Sequence, residues 1–164
     1  MNGIHLRAAN EADFETIVRI NDAEVEQTSV MDRDRLGHLD GISCFHKVAC
    51  IDGKVAAFLL AMQNDAPYVN DNFAWFVSRY PTFIYVDRIV VEASSGRNKL
   101  GSLLYTDLFA HARARAIPSS LRARQSGSCA KPTSSGWRAA MAWFASILPH
   151  AGHCRQRMRP TSAA

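Results

Sequence analysis

The sequence predicts an α/β domain, a mixed and mostly antiparallel sheet flanked by helices, with an irregular C-terminal third. Three stretches carry that prediction. Residues 45–51 and 54–62 are apolar runs joined by Asp52-Gly53, a dipeptide that favours a tight β-hairpin turn. Residues 82–91 are a β-branched and aromatic run suited to a central strand. From Leu100 the apolar spacing turns helical and stops at Pro118. With 164 residues and 48% hydrophobic content, the chain is one domain by length and has enough apolar side chain to build a core.

The elements follow in order. Residues 4–8 alternate apolar and polar and read as a short first strand. Asn10 then supplies a helix N-cap with Asp13 three residues on, and Phe14, Ile17, Val18 and Ile20 make a helical face. A weaker helical pattern covers residues 32–38 and is expected to stop at Gly37 or Gly41. After the hairpin, residues 64–72 are rich in Asp, Asn and Pro and read as a loop. Phe73, Trp75, Phe76 and Tyr80, ending at Pro81, read as a short helix that caps the sheet edge. The helix from Leu100 sets Leu103, Leu104, Leu108 and Phe109 on one side, with Asp107, His111, Arg113 and Arg115 elsewhere. The order is β-α-α-β-β-loop-β-α, without an internal repeat. Past Pro118, residues 119–135 show neither period, 137–148 offer one helical face, and 149–164 look unstructured.

Composition closes several routes. No run of eighteen apolar residues is present, and residues 1–9 carry His5 and Arg7 in place of an apolar leader, so a cytoplasmic protein without a membrane role is expected. Cys44, Cys50, Cys129 and Cys154 lack metal-ligand spacing and are too few for a disulfide framework, so free thiols are expected. Ser, His and Cys form neither a nucleophile elbow nor a ligand cluster, so no metal is expected. The net charge of +4 points toward nucleic acid only until its distribution is read. All fifteen carboxylates lie at or before Asp107, whereas seven of the nineteen Lys and Arg lie after Ile117. Residues 1–117 therefore carry −3 and residues 118–164 carry +7. Those basic residues have neither aromatic interleaving nor a helical stripe, which argues against a nucleic-acid partner. The chain divides by composition near Pro118, into regions 1–118 and 119–164.

The informative stretch is where the strand at 82–91 passes through residues 92–99 into a helix opening at Leu100-Gly101-Ser102. Such a strand–turn–helix presents unpaired backbone N–H groups and the positive end of a helix dipole, which suits a phosphate group. Arg97 and Lys99 add charge suited to a diphosphate. Val86-Asp87-Arg88-Ile89-Val90-Val91, the turn from Gly96 to Gly101, and Ser102-Leu103-Leu104-Tyr105 with Leu108-Phe109-Ala110 together resemble motif A of the GNAT acetyltransferases. The preceding β-α-α-β-β order resembles that family's N-terminal half. The resemblance implies acetyl-CoA as cosubstrate. It also implies a strand that splays from its neighbour and offers backbone groups to the pantetheine arm, which by position falls to Ile89 and Val91 with Val90 between them. The family's Gln/Arg-x-x-Gly-x-Gly/Ala turn, which holds the diphosphate, falls on the run from Gly96 through Arg97, Asn98 and Lys99 to Gly101, with Ser102 next at the helix opening as a further coenzyme-binding candidate. This chain departs from it twice: Gly96 stands where Gln or Arg is usual, and Lys99 where the first glycine is usual. A Cβ at Lys99 resists the left-handed geometry that glycine permits.

The same family calls for a further strand beside the splayed one, then a helix and a hairpin, and residues 119–164 show no pattern for them. Loss of every carboxylate with a gain of Arg, Ser, Cys and His is what a shifted reading frame of a GC-rich gene produces. With suitable third bases, the codons of residues 127–133 read two bases later spell Val-Val-Cys-Glu-Ala-Asn, similar to the strand and Asn that the family carries there. A divergent basic tail is the other reading.

In the chemistry the resemblance implies, an amine attacks the acetyl thioester, a base takes its proton, backbone N–H groups hold the oxyanion and an acid protonates the thiolate. Asp87 is the base candidate, set against a structural role as partner of Arg88. Tyr105 is the acid candidate, set against packing one turn into the helix. Glu24 and Glu26 are candidates to line an amine site and Trp75, Phe76 and Tyr80 to wall it, each set against ordinary surface or core roles. His46 and His111 read as ordinary surface or strand histidines. The expected function is an N-acetyltransferase moving acetyl from acetyl-CoA to a small-molecule or peptide primary amine; the alternative is a non-catalytic acyl-CoA binding module or inactive homologue. An unpaired edge beside the strand at 82–91 would invite a second copy of the chain, so a homodimer is expected.

Overall fold

The computed structural model describes residues 3–24, 29–117 and 121–123, with the backbone alone at 96, 97 and 121–123. All fall within the first of two units, Met1–Ser128; the second unit, Cys129–Ala164, with the expected helix at 137–148, lies outside the described residues.

Strands β1 (Ile4–Ala8), β2 (Phe45–Ile51), β3 (Lys54–Gln63) and β4 (Ile84–Val91) pair antiparallel in chain order, and β5 (Leu121–Ala123) joins β4 in parallel. The sheet is thus mixed and mostly antiparallel, of order β1-β2-β3-β4-β5. Asp52 and Gly53 close the β2–β3 hairpin with φ of 51° and 80°, the two positive values that a type I′ turn needs. Helices α1 (Phe14–Ala23), α2 (Arg33–Ile42) and α3 (Asp71–Val77) contribute to the core on one face, and α4 (Leu100–Ala114) covers the other.

The two faces are built differently. Strand β3 is apolar from Val55 to Met62 and alternates between them: Phe58, Leu60 and Met62 meet Phe14, Ile17, Ile20, Leu36 and Leu39, whereas Ala57, Leu59 and Ala61 lie under Leu100, Leu104 and Leu108. With Ala49 added from β2, the face under α4 is rich in alanine, and the helix supplies much of its bulk. Each fully buried Leu, Ile or Phe contributes about 1.5–3 kcal/mol of transfer free energy. No helix among the described residues is long and apolar enough to cross a membrane.

Several local expectations hold at atomic detail. Asn10 Oδ1 accepts from the Ala12 amide at 3.0 Å while Asp13 Oδ2 accepts from the Asn10 amide at 3.0 Å, a reciprocal cap at the entry to α1. Arg7 grips both oxygens of Asp13 at 2.6 and 2.7 Å, tying β1 to that cap and holding the Asp13 carboxyl below its ordinary pKa. Cys44 and Cys50 are free thiols.

Other expectations are corrected. Helix α2 starts from Asp32 as its cap but runs through Gly37 and Gly41 to Ile42, because buried Leu36 and Leu39 outweigh the weak helix preference of glycine. Helix α3 packs on the core rather than capping an edge: the Phe73 ring lies 5.5 Å from Tyr85 and 5.6 Å from Phe83. On α4 the buried stripe is Leu100, Leu104, Leu108 and Ala112, so Leu103 faces outward, 39% exposed. That helix ends at Ala114, and Ala116 turns the chain with φ of 52° before Pro118 is reached. A short strand, β5, exists where no pattern was visible, since three residues are too few to show one. It takes up Ile84, Tyr85 and Val86 of the edge that was expected to be open to a second chain.

His46 is a strand histidine, on β2, and it is buried. Its Nδ1 donates to Asp40 Oδ1 at 2.7 Å, and its Nε2 is buried without a hydrogen-bond partner. Burial lowers the imidazole pKa below its ordinary value, only partly opposed by Asp40. A neutral form favoured by folding means that this contribution is complete above about pH 6.5, the unfolded value, and is lost as the pH falls. The urea midpoint is therefore expected to drop between pH 7 and 5, and His46→Leu is expected to reduce that drop, the remainder coming from His111 on α4, whose pKa burial also lowers.

Candidate active site

A one-residue irregularity in β4 organises the site. Ala61 of β3 pairs with Val86, but Leu60 pairs with Arg88, so Asp87 is an extra residue, a β-bulge. The hydrogen-bond phase can be followed through it. The Ala61 carbonyl accepts from the Cys44 amide at 3.0 Å and so faces β2, which leaves the opposite residue, Val86, with its backbone groups turned toward β5. Beyond the bulge, the Glu92 amide donates to the Ala56 carbonyl at 2.9 Å, so Glu92 and, two residues earlier, Val90 face β3. The backbone groups of Ile89 and Val91 therefore point to the β5 side. Among the described residues β5 pairs only with Ile84, Tyr85 and Val86, so no described strand occupies that side at Ile89 and Val91. Val90 has the opposite disposition, its side chain buried on the α1 face.

Strand β4 leads into a 3₁₀ turn, Ala93–Asn98, and then Lys99 opens α4. Lys99 adopts φ 53°, ψ 28°, the left-handed conformation that its Cβ was expected to resist. Its side chain and that of Asn98 are exposed, as is Ser102. No side chain caps α4 at Lys99, so the first-turn N–H groups keep no such acceptor. A Cβ on Gly101 would lie 3.7 Å from Ile89 Cδ1 and Val91 Cγ2, ordinary contacts that put the helix start directly against the end of β4. Since a left-handed residue other than glycine costs about 1–2 kcal/mol, Lys99→Gly is expected to stabilise the fold by about 1 kcal/mol in urea unfolding.

Asp87 has a fully buried side chain, and both oxygens are engaged: Oδ1 accepts from the Tyr68 hydroxyl and Oδ2 from Arg88 Nε at 2.8 Å. Arg88 Nη1 donates to Asn21 Oδ1 at 2.9 Å and to the Ser29 carbonyl at 3.3 Å, and Nη2 to Ser29 Oγ at 3.1 Å. Tyr105 stacks on Phe109 at 6.3 Å, and burial pushes its phenol up to about 12. Glu24 joins Arg19, Ile20, Ala23, Glu92 and Ala93 around a cavity of about 230 Å³ between α1 and the end of β4, where Arg19 pairs with Glu92 at 3.0 Å. Glu26 lies outside the described residues. Trp75 is half exposed with Arg79 over its ring at 4.0 Å, while Phe76 and Tyr80 pack on the core.

The structure thus brings Ile89, Val91, Lys99 and Gly101 to one strand–turn–helix junction and leaves Asp87 and Val90 on the other side of the sheet. Sequence reasoning missed Tyr68, Asn21 and Ser29, the partners of the buried pair; the signal available was an Asp-Arg dipeptide inside an otherwise apolar strand.

No family model and no curated protein matches the chain. Solved structures do. An N-acetyltransferase from Staphylococcus aureus superposes with a TM-score of 0.63 at 20% identity, covering 92% of this chain and 86% of that one. A ribosomal-protein-alanine N-acetyltransferase from Brucella melitensis gives 0.59 at 14% identity, covering 96% and 99%. An aminoglycoside antibiotic 6'-N-acetyltransferase from Acinetobacter baumannii gives 0.56 at 12% identity, covering 99% of each chain. The protein has the GNAT N-acetyltransferase fold. Within the GNAT fold the junction described above occupies the end of β4 and the start of α4, the stretch in which the sequence resemblance was seen.

Proposed function

We propose that the chain is a GNAT-type N-acetyltransferase that lays acetyl-CoA along the β5 side of β4 and moves its acetyl group to a primary amine of a small molecule or peptide. The observation that carries this reading is the phase of β4: Ile89 and Val91 offer backbone donors and acceptors where no described strand takes them. The uncapped start of α4 lies against the same two residues, and its N–H groups with the Lys99 ammonium suit a diphosphate. Region 1–118 then carries the Ile89, Val91 and α4 groups of the coenzyme site, and β5, Leu121–Ala123, falls in the basic region 119–164. In this reading Asp87 acts as the partner of Arg88, since both its oxygens are held. The Tyr105 phenol, protonated at neutral pH, is a proton donor to the thiolate only if the coenzyme sulfur reaches it. The amine attacks the thioester carbonyl, the C–S bond breaks, and the proton lost by nitrogen ends on the coenzyme thiol.

Structural neighbours that act on an alanine of a ribosomal protein and on aminoglycosides support a primary amine as acceptor class. Calorimetric titration with acetyl-CoA tests the reading. Micromolar binding, about −8 kcal/mol, is expected. A folded protein that does not bind would overturn it, and binding without turnover across a panel of amines would select the non-catalytic acyl-CoA binding module instead.

A further inference from the structure

Neighbouring residues of a regular strand point to opposite faces, so their side chains do not meet. Asp87 and Arg88 are neighbours, yet Arg88 Nε lies 2.8 Å from Asp87 Oδ2 with both side chains buried. The contact exists because the bulge turns both the same way. Pair and bulge therefore specify each other: an unbulged β4 would send one of the two charges under α4, onto the alanine-rich face. The bulge also decides which backbone groups reach the β5 side. Before it Ile84 and Val86 face that side; after it Ile89 and Val91 do. Without the extra residue the even positions would continue, and Arg88 and Val90 would stand in their place.

We propose that the Asp87–Arg88 ion pair is a register lock on β4, a positioning pair that selects the residues whose backbone meets the coenzyme. The proposal rests on the reading of β4 as the coenzyme strand. The lock is held from outside the strand by the Tyr68 hydroxyl on Asp87 and by Asn21 and Ser29 on Arg88.

Amide hydrogen exchange of the free protein, read residue by residue by NMR, and acetyl-CoA titration test it on wild type, Arg88→Lys and the neutral pair Asp87→Asn/Arg88→Met. In wild type the Val90 and Glu92 amides are expected to exchange at least tenfold more slowly than those of Ile89 and Val91. Arg88→Lys keeps a cation beside Asp87 and is expected to keep this alternation, with acetyl-CoA affinity within threefold. The neutral pair is expected to fold, to lose the alternation, and to bind at least tenfold more weakly. Should it not fold, Asp87→Asn/Arg88→Gln takes its place, with hydrogen-bonding side chains and no charge. Wild-type alternation in the neutral variant overturns the lock. If wild type itself does not bind acetyl-CoA, the coenzyme reading falls, and the exchange pattern of the neutral variant alone decides the lock.

Discussion

Replacing Arg88 alone by Met is expected to destabilise the protein by about 3–5 kcal/mol, the largest single effect at this site. The guanidinium is almost wholly buried and supplies four contacts, to Asp87 Oδ2, Asn21 Oδ1 and both oxygens of Ser29. Met matches its length but leaves the Asp87 carboxylate buried with the Tyr68 hydroxyl on Oδ1 and without the cation beside it. An uncompensated buried charge is costly, whereas removing both charges together is often close to neutral, which is why the double neutral variant is expected to fold. Against a typical total of 5–15 kcal/mol, the single change would consume a large share. Urea unfolding monitored by circular dichroism reads it as a fall in midpoint at unchanged slope. A shift below 1 kcal/mol would show that water reaches the pair in solution.

The second large effect is a contrast between two adjacent prolines. Val90→Pro is expected to cost about 2–3 kcal/mol more than Val91→Pro, because it removes a ladder N–H and leaves a buried carbonyl of β3 unsatisfied. Val91→Pro removes an N–H that β3 does not use. It is expected to leave the protein folded while weakening acetyl-CoA at least tenfold, since that amide is one of those assigned to the coenzyme. Thermal melts and titration of the two variants side by side check both halves. Equal destabilisation would mean that Val90 and Val91 do not differ in their pairing with β3.

The frame of the fold was legible because its signals are local. The Asp52-Gly53 turn, the alternation of the first strand and the Asn10 cap each act within a few residues, so sequence spacing reports them directly. What stayed hidden depends on contacts distant in sequence. Nothing within α2 says that Leu36 and Leu39 will carry the helix past two glycines, and nothing near Tyr68 or Ser29 announces a tie to β4 some twenty to sixty residues away. The bulge is the sharpest case. Composition identifies 82–91 as a strand and resemblance assigns Ile89 and Val91, but an alternation that breaks at one residue cannot be counted from the sequence, which leaves Val90 grouped with its neighbours. A lysine at position 99 resists the left-handed conformation locally, yet Lys99 adopts it, held between a 3₁₀ turn and a fifteen-residue helix that fix its place.

The alanine-rich face under α4 has a consequence for how the chain matures on the ribosome. The β2–β3 hairpin is complete by residue 63 and the first helices precede it, so one half of the core can form while synthesis continues. The other face cannot close until residues 100–114 have emerged, because Leu100, Leu104 and Leu108 bring its bulk. For the time it takes to make about fifty residues, a few seconds at 5–20 residues per second, a flat apolar surface stands uncovered. That interval is when a chaperone would find this chain, and when a slow codon would do it most harm.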